Sequence, residues 1–176
     1  DGMRDSDSDN NHMGMMNGHG HNSNSQMVGS DAMFLQMMIP HHEQAVVMSD
    51  LALSTSKNAD VLKLAKQIID AQAPEIIKMQ GWLSDAGLSQ DPGHSMGDGM
   101  GGMLSDSEIS TLKESTGKAF DKLFLTGMIA HHEGALEMVS MLDRTKNSEA
   151  KKIAIDIRTG QSGEITFMKK LLAKSK

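Results

Sequence analysis

The segment Asp31–Met48, DAMFLQMMIPHHEQAVVM, decides the fold, because it returns later in the chain as Asp121–Met138, DKLFLTGMIAHHEGALEM. The two copies share the pattern D-x-x-F-L-x-x-M-I-x-H-H-E-x-A-x-x-M. Each is followed by a second matching segment, Ala65–Met79 and Ala154–Met168, with A-x-x-I-x-x-x-Q-x-x-E-I-x-x-M in common. Apolar residues recur at helical spacing, so the sequence predicts a repeated unit of two helices.

Two such units make an all-α, ferritin-like four-helix bundle. We predict long helices at about 30–55, 59–86, 117–145 and 148–174, and a short helix near 107–115. The tail 1–29 is rich in Asp, Ser, Asn, Gly, Met and His, cannot bury a core, and is expected to be flexible. The bundle is then 30–176, with repeats at about 30–86 and 117–174 joined by a Met- and Gly-rich linker, 87–116.

The bulk composition supports this fold and excludes some functions. The chain has 176 residues, a net charge of −6, one Trp, four Phe and no Tyr. Only the C-terminus is rich in Lys, so nucleic acid is not an expected partner, and no apolar run is long enough to span a membrane. The sequence opens at Asp1 without a signal peptide, which we interpret as the trimmed start of an exported protein.

Methionine and cysteine counts depart most from the usual. The chain has 17 Met and no Cys. A soft metal ion in the cytosol is normally bound by thiolates, whereas outside the cytosol thioethers have the advantage that they form no disulfides. The composition therefore favours a soft-metal protein that works in the periplasm or outside the cell.

The repeated His-His-Glu segments are the candidate metal site. Around a helix with Met38 at zero, His41 falls at about −60° and His42 at about +40°, both on the apolar face. A buried imidazole without a partner costs about 1–3 kcal/mol, so two copies with Met at the same offsets suggest a shared solution. The candidate ligands on the helices are Met37, Met38, His41, His42 and Met48 in the first unit and Met128, His131, His132 and Met138 in the second.

The softness of these ligands indicates the metal. Thioether sulfur with imidazole selects Cu(I), and by the same chemistry Ag(I). A di-iron centre of the ferritin type needs Glu-x-x-His, but neither Glu75 nor Glu164 has a His three residues later. The linker repeats the soft chemistry where packing does not require it, which adds His94, Met96, Met100 and Met103 as candidate ligands.

Several of these residues also have a structural interpretation. Met38 and Met128 would fill the core of any bundle. Glu43 and Glu133 could orient a histidine or be solvated. The recurring Gln72/Glu75 and Gln161/Glu164 could bond to a histidine or to a helix end.

The two M-I-x-H-H-E-x-A-x-x-M segments, each followed by Q-x-x-E-I-x-x-M, resemble the bacterial family called domain of unknown function 305, over roughly residues 30–174. The resemblance implies a ferritin-like bundle, Cu(I) and Ag(I) binding, export to the periplasm and a role in copper resistance. It carries the metal-site prediction onto the nine helical candidates. Gly127 in place of Met37 and Ala130 in place of Pro40 suggest that the second site is poorer in sulfur or differently shaped.

The sequence thus predicts a copper chaperone or sequestering protein rather than an enzyme. Copper ions are the expected ligand, a copper-sensing or copper-export protein is the expected partner, and the oligomeric state stays open. The alternatives are a ferritin-like metal oxidase and a structural bundle whose Met and His only pack.

Overall fold

The computed structural model describes residues 29–91 and 100–175. Over these ranges the chain is helical and has no strands. The helices are α1 (Gly29–Thr55), α2 (Ala59–Asp85), the short α3 (Asp106–Glu114), α4 (Gly117–Val139) and α5 (Ser148–Lys174), with 3-10 turns at Met100–Gly102 and Ser140–Leu142. The four long helices form a bundle, which confirms the predicted fold class. The predicted tail lies outside the described residues except for Gly29.

Two pairs of polar side chains join the ends of the hairpins. The Thr145 hydroxyl, in the turn before α5, donates to Asp31 at the start of α1 over 3.0 Å. The Ser56 hydroxyl, in the turn before α2, donates to Asp121 near the start of α4 over 2.6 Å. Each aspartate that opens a repeat therefore binds the turn of the other repeat, which makes α1 and α4 antiparallel neighbours.

A buried polar belt divides the core into two apolar clusters. On each of the four long helices, one cluster takes the residues before a short polar stretch and the other takes those after it. The first cluster includes Met48, Leu64, Ile68, Phe120, Phe124, Met128 and Met168. The second includes Phe34, Met38, Met79, Leu83, Met138, Val139, Ile153 and Ile157. The belt between them contains His41, His42, Gln72, His131, His132, Gln161 and Glu164, all buried.

The end of the linker, residues 101–104, crosses α1 and α4; we call it the strap. The Gln44 amide on α1 clamps it, since Gln44 Nε2 donates to the Leu104 carbonyl over 2.9 Å and Leu104 N–H donates to Gln44 Oε1 over 2.8 Å. On α4 the strap passes so close to the helix that only glycine fits, because a Cβ on Gly134 would lie 1.7 Å from the Gly101 carbonyl oxygen. Gln44 and Gly134 hold the same position in the two repeats. The repeats therefore differ in sequence at the position where each contacts the strap.

None of the helices in the described ranges is both long and apolar enough to cross a lipid bilayer.

Candidate metal site

The four histidines of the two repeats meet at the middle of the bundle, and all are completely buried. Because α1 and α4 are antiparallel, His41 and His131 stack across the contact between the hairpins. Their ring centroids are 3.7 Å apart and their planes are tilted by 31°. The packing of α1 against α4 is therefore what brings the two histidines together.

His41 lies directly under the strap. Its Nε2 donates to the Gly101 carbonyl oxygen over 2.7 Å. The Met138 thioether reaches the same place, since a Cβ on Gly101 would lie 2.7 Å from Met138 Sδ and 3.6 Å from His41 Cδ2. Gly101 has φ of 59°, so glycine suits both its backbone conformation and the space available. One imidazole and one sulfur are thus neighbours inside the protein.

The imidazole of His131 has two ring nitrogens that could still bind a partner. Neither of its ring nitrogens has a hydrogen-bond partner, although the side chain is completely buried. An imidazole in this position normally finds a partner, because an unsatisfied buried polar group costs about 1–3 kcal/mol. The unmet nitrogens of His131, beside His41, are therefore available to bind a ligand.

Burial also keeps this pair of histidines uncharged. Burial, with a smaller contribution from the neighbouring imidazoles His42 and His132, lowers the pKa of His41 to about 4. Burial and the nearby His41 lower the pKa of His131 well below its ordinary value. Both rings are therefore neutral at pH 7, the protonation state in which imidazole binds metal ions.

The second histidine of each pair faces a carboxylate from its own hairpin. His42 Nε2 lies 2.6 Å from Glu75 Oε2 on α2, and His132 Nε2 lies 3.2 Å from Glu164 Oε1 on α5. Of the two interpretations of the recurring Gln-x-x-Glu motifs, these contacts favour a bond to a histidine, and the glutamate of each motif makes it. Glu43 and Glu133 are instead exposed; Glu133 lies 3.4 Å from the Lys169 ammonium.

The predicted methionine ligands have different environments. Met38, Met48, Met128 and Met138 are buried, whereas Met37 is partly buried and packs against the second cluster. A Cβ on Gly127, which replaces Met37 in the second repeat, would lie 3.2 Å from Leu104 Cδ2 and in ordinary contact with Met48 Cε at 3.5 Å, so Gly127 borders both the strap and Met48.

The linker candidates are less closely tied to this centre. Met103 lines an outer groove of about 460 Å³ between the strap, α3 and α4. Met100 precedes Gly101 in the 3-10 turn, but its side chain is outside the described part of the protein, and so are His94 and Met96.

Nitrogen and oxygen donors alone do not form a site here. Among the described residues, no group of three or more His, Asp or Glu side chains is placed to hold a metal ion. The donors near His41 and His131 also include thioether sulfur, because Met138 lies beside His41. Such a donor set fits a soft monovalent ion and does not fit a carboxylate-bridged pair of iron ions.

Sequence reasoning did not find Gln44, Gly101 or Gly134, although they shape the cover of this site. The signal was present in the alignment of the repeats, where Gln44 faces Gly134 and Met37 faces Gly127. A local pattern could not show that these differences accommodate a segment from the linker.

The fold and site together define a class: a bundle of two repeated helical hairpins with a buried imidazole–thioether centre between them. The family model described as Domain of unknown function (DUF305) matches residues 31–172, and the chain belongs to this family.

Solved structures agree with this assignment. A DUF305 fragment from Deinococcus radiodurans is 30% identical, with a TM-score of 0.76 over 84% of this chain and 97% of the other. CopM in its Cu(I)-bound form is 31% identical, with a TM-score of 0.69 over 85% of this chain and 98% of CopM. CopM has also been solved in Cu(II)-bound and Ag-bound forms. An uncharacterized protein of Acanthamoeba polyphaga mimivirus is 40% identical over 57 residues, which are 32% of this chain and only 38% of the viral protein.

Proposed function

We propose that the protein binds Cu(I), and Ag(I) by the same chemistry, as a chaperone or sequestering protein in copper resistance. One observation carries the proposal: two stacked, neutral and buried imidazoles, one without hydrogen bonds and the other beside the Met138 sulfur. Likeness to CopM, whose structures hold copper and silver, supports it over the whole bundle.

The centre we propose is built from the four buried histidines, His41, His42, His131 and His132, and from the Met138 sulfur. Met48, which holds the same position in the first repeat, would supply a second sulfur. Neutral imidazole and thioether bind Cu(I) without releasing protons, and burial excludes water that would compete for the ion. The Met- and His-rich linker residues His94, Met96, Met100 and Met103 would capture copper by ligand exchange before it reaches the bundle.

The setting and role follow from the same chemistry. A Cys-free, Met-rich protein suits the periplasm or the cell exterior, and a related structure is that of a candidate secreted protein from Streptomyces coelicolor. We propose that the protein delivers copper to, or holds it back from, a copper-sensing or copper-export protein, and that it catalyses no reaction.

Anaerobic titration with Cu(I) against a competing chelator tests the proposal. The His41→Ala/His131→Ala variant should lose one bound ion, or at least about tenfold in affinity, which is about 1.4 kcal/mol. Met33→Leu is the matched control, because Met33 is on the same α1 helix but is 42% exposed. Unchanged stoichiometry and affinity in the double variant would contradict a bundle site.

A metal oxidase is the competing function, because the His42–Glu75 and His132–Glu164 pairs, each with a buried imidazole, are ligand types that oxidases use. It predicts oxygen consumption with Fe(II) or Cu(I) by the loaded protein. We expect none above the rate of the free ion, measured with an oxygen electrode.

A further inference from the structure

Glu75 and Glu164 occupy equivalent places in the two hairpins, and each reaches the second histidine of a pair on the neighbouring helix. The distances are 2.6 Å from His42 Nε2 to Glu75 and 3.2 Å from His132 Nε2 to Glu164. Both imidazoles are completely buried, while the carboxylates are 20% and 5% exposed. The contact is thus made twice, in an interior where each polar group needs a partner.

The nitrogen on the other side of each of these rings has no partner. Nδ1 of His42 and Nδ1 of His132 are buried and make no hydrogen bond. A carboxylate can only accept, so Nε2 must carry the proton, and a neutral ring then leaves a lone pair on Nδ1.

His41 shows the same arrangement with a different acceptor. Its Nε2 donates to the Gly101 carbonyl oxygen over 2.7 Å, and its Nδ1 is also buried without a partner. Three of the four histidines therefore have Nε2 bound by an acceptor from another element and Nδ1 left unused. The acceptors from α2, α5 and the strap therefore all select the same tautomer, the one with its proton on Nε2.

We propose that Glu75 and Glu164 are positioning residues of the metal site: each holds the Nε2–H form of a buried histidine, so that Nδ1 is the nitrogen offered to the ion. The inference rests on the proposed function and adds the donor atom and the groups that select it. A carboxylate on the far nitrogen fixes the ring orientation and makes the imidazole a stronger donor. The role that the sequence suggested for Glu43 and Glu133 thus passes to glutamates on the partner helices.

The tautomer can be measured without metal. In the full chain with ¹⁵N-labelled histidine, long-range ¹H–¹⁵N NMR distinguishes Nε2–H from Nδ1–H rings. We expect Nε2–H for His41, His42 and His132. Glu75→Leu and Glu164→Leu should each give a mixture of tautomers at the histidine that loses its acceptor and leave the other histidine unchanged. Nδ1–H in the wild-type protein, or unaltered tautomers in both variants, would overturn the inference by itself.

Copper affinity supplies the second measurement. Loss of such a carboxylate should weaken Cu(I) binding by about 10–100-fold, whereas Glu43→Gln, at an exposed position next to His42, should leave it unchanged. Circular dichroism checks that each variant folds; if a Leu variant does not, Glu75→Ala and Glu164→Ala, which also remove the acceptor, replace it. Wild-type affinity in the Glu75 and Glu164 variants overturns this inference, while failure of the wild-type protein to bind Cu(I) overturns the proposed function.

Discussion

At the residue scale, the histidines of one motif have different environments although they are neighbours in sequence. His41 and His131 stack on each other between the hairpins, whereas His42 and His132 turn towards glutamates of their own hairpins. Consecutive residues on a helix point about 100° apart, so one motif supplies two different surfaces. A tandem His pair therefore places one imidazole inside its own hairpin and the other at the contact between the hairpins.

The stacked pair should make the metal-free protein sensitive to mild acid. The folded protein keeps His41 neutral with a pKa of about 4, while in the unfolded chain the ordinary value of 6.5 applies. Protons therefore bind the unfolded chain first, so His41's contribution to stability is full above pH 6.5 and is lost as the pH falls towards 4. Between pH 7 and 5 the free energy of unfolding should fall by about 2 kcal/mol from His41, and His131 adds to it in the same direction.

Urea unfolding at a series of pH values measures this dependence. In the His41→Leu/His131→Leu variant, the fall between pH 7 and 5 should shrink by at least the part assigned to His41. An equal slope in both proteins would show that the two rings are not held neutral by burial.

At the element scale, the strap contacts the two repeats at positions where their sequences differ. Its clamp is Gln44 on α1, and its bed on α4 is Gly134, where a side chain would collide with Gly101. Gly102 approaches the α4 backbone as closely, since a Cβ there would lie 2.0 Å from the Ala130 carbonyl oxygen. Glycine, a weak helix former, thus stands in α4 at the place where the strap passes over the helix.

Two Gly→Ala substitutions should have opposite effects on stability. Gly134→Ala places a methyl group against the strap backbone and should lower the free energy of unfolding by about 1–3 kcal/mol, or displace the strap. Gly160→Ala on α5 meets nothing within 4 Å and should raise it by about 0.5–1 kcal/mol, because alanine is the better helix former. Urea denaturation compares them, and equal effects would contradict the close passage of the strap over α4.

At the scale of the whole molecule, the polar belt separates two apolar clusters. The apolar core of the bundle is therefore interrupted at its middle. Buried polar atoms without partners include both ring nitrogens of His131, both amide atoms of Gln72 and one oxygen of Glu164. Each lowers stability by an amount that a bound ion or ordered water would recover. We therefore expect the metal-free protein to have a low free energy of unfolding for a helical bundle of its size.

Silver ions should stabilise the folded protein by mass action. At a free Ag(I) concentration about 100 times Kd, binding adds about 2.7 kcal/mol, which corresponds to a rise in Tm of roughly 5–10 °C for a chain of this size. Differential scanning calorimetry in chloride-free buffer measures it. Mg(II), which prefers oxygen ligands, should have no such effect, and the His41→Ala/His131→Ala variant should lose most of the rise; a full rise in that variant would place the ion elsewhere.

The duplicated segments at Asp31 and Asp121 predicted an all-α bundle, which the structure confirms. They also placed the four histidines on the apolar faces of their helices, and the structure buries all four. These features follow from the sequence because the period of a helix decides which side chains share its apolar face. The helix lengths were also close, apart from α4, which ends at Val139 and continues as a 3-10 turn to Leu142.

The tertiary structure alone decided how the histidines are used. Whether His41 or His42 faces the other hairpin depends on how α1 and α4 rotate about their axes when they pack antiparallel, which no local pattern contains. The carboxylates of Glu75 and Glu164 reach their histidines only after the hairpins close, and the strap finds its place only through Gly134, far away in sequence. Periodicity along one helix determines what is buried, whereas the contacts between helices determine what each buried group meets.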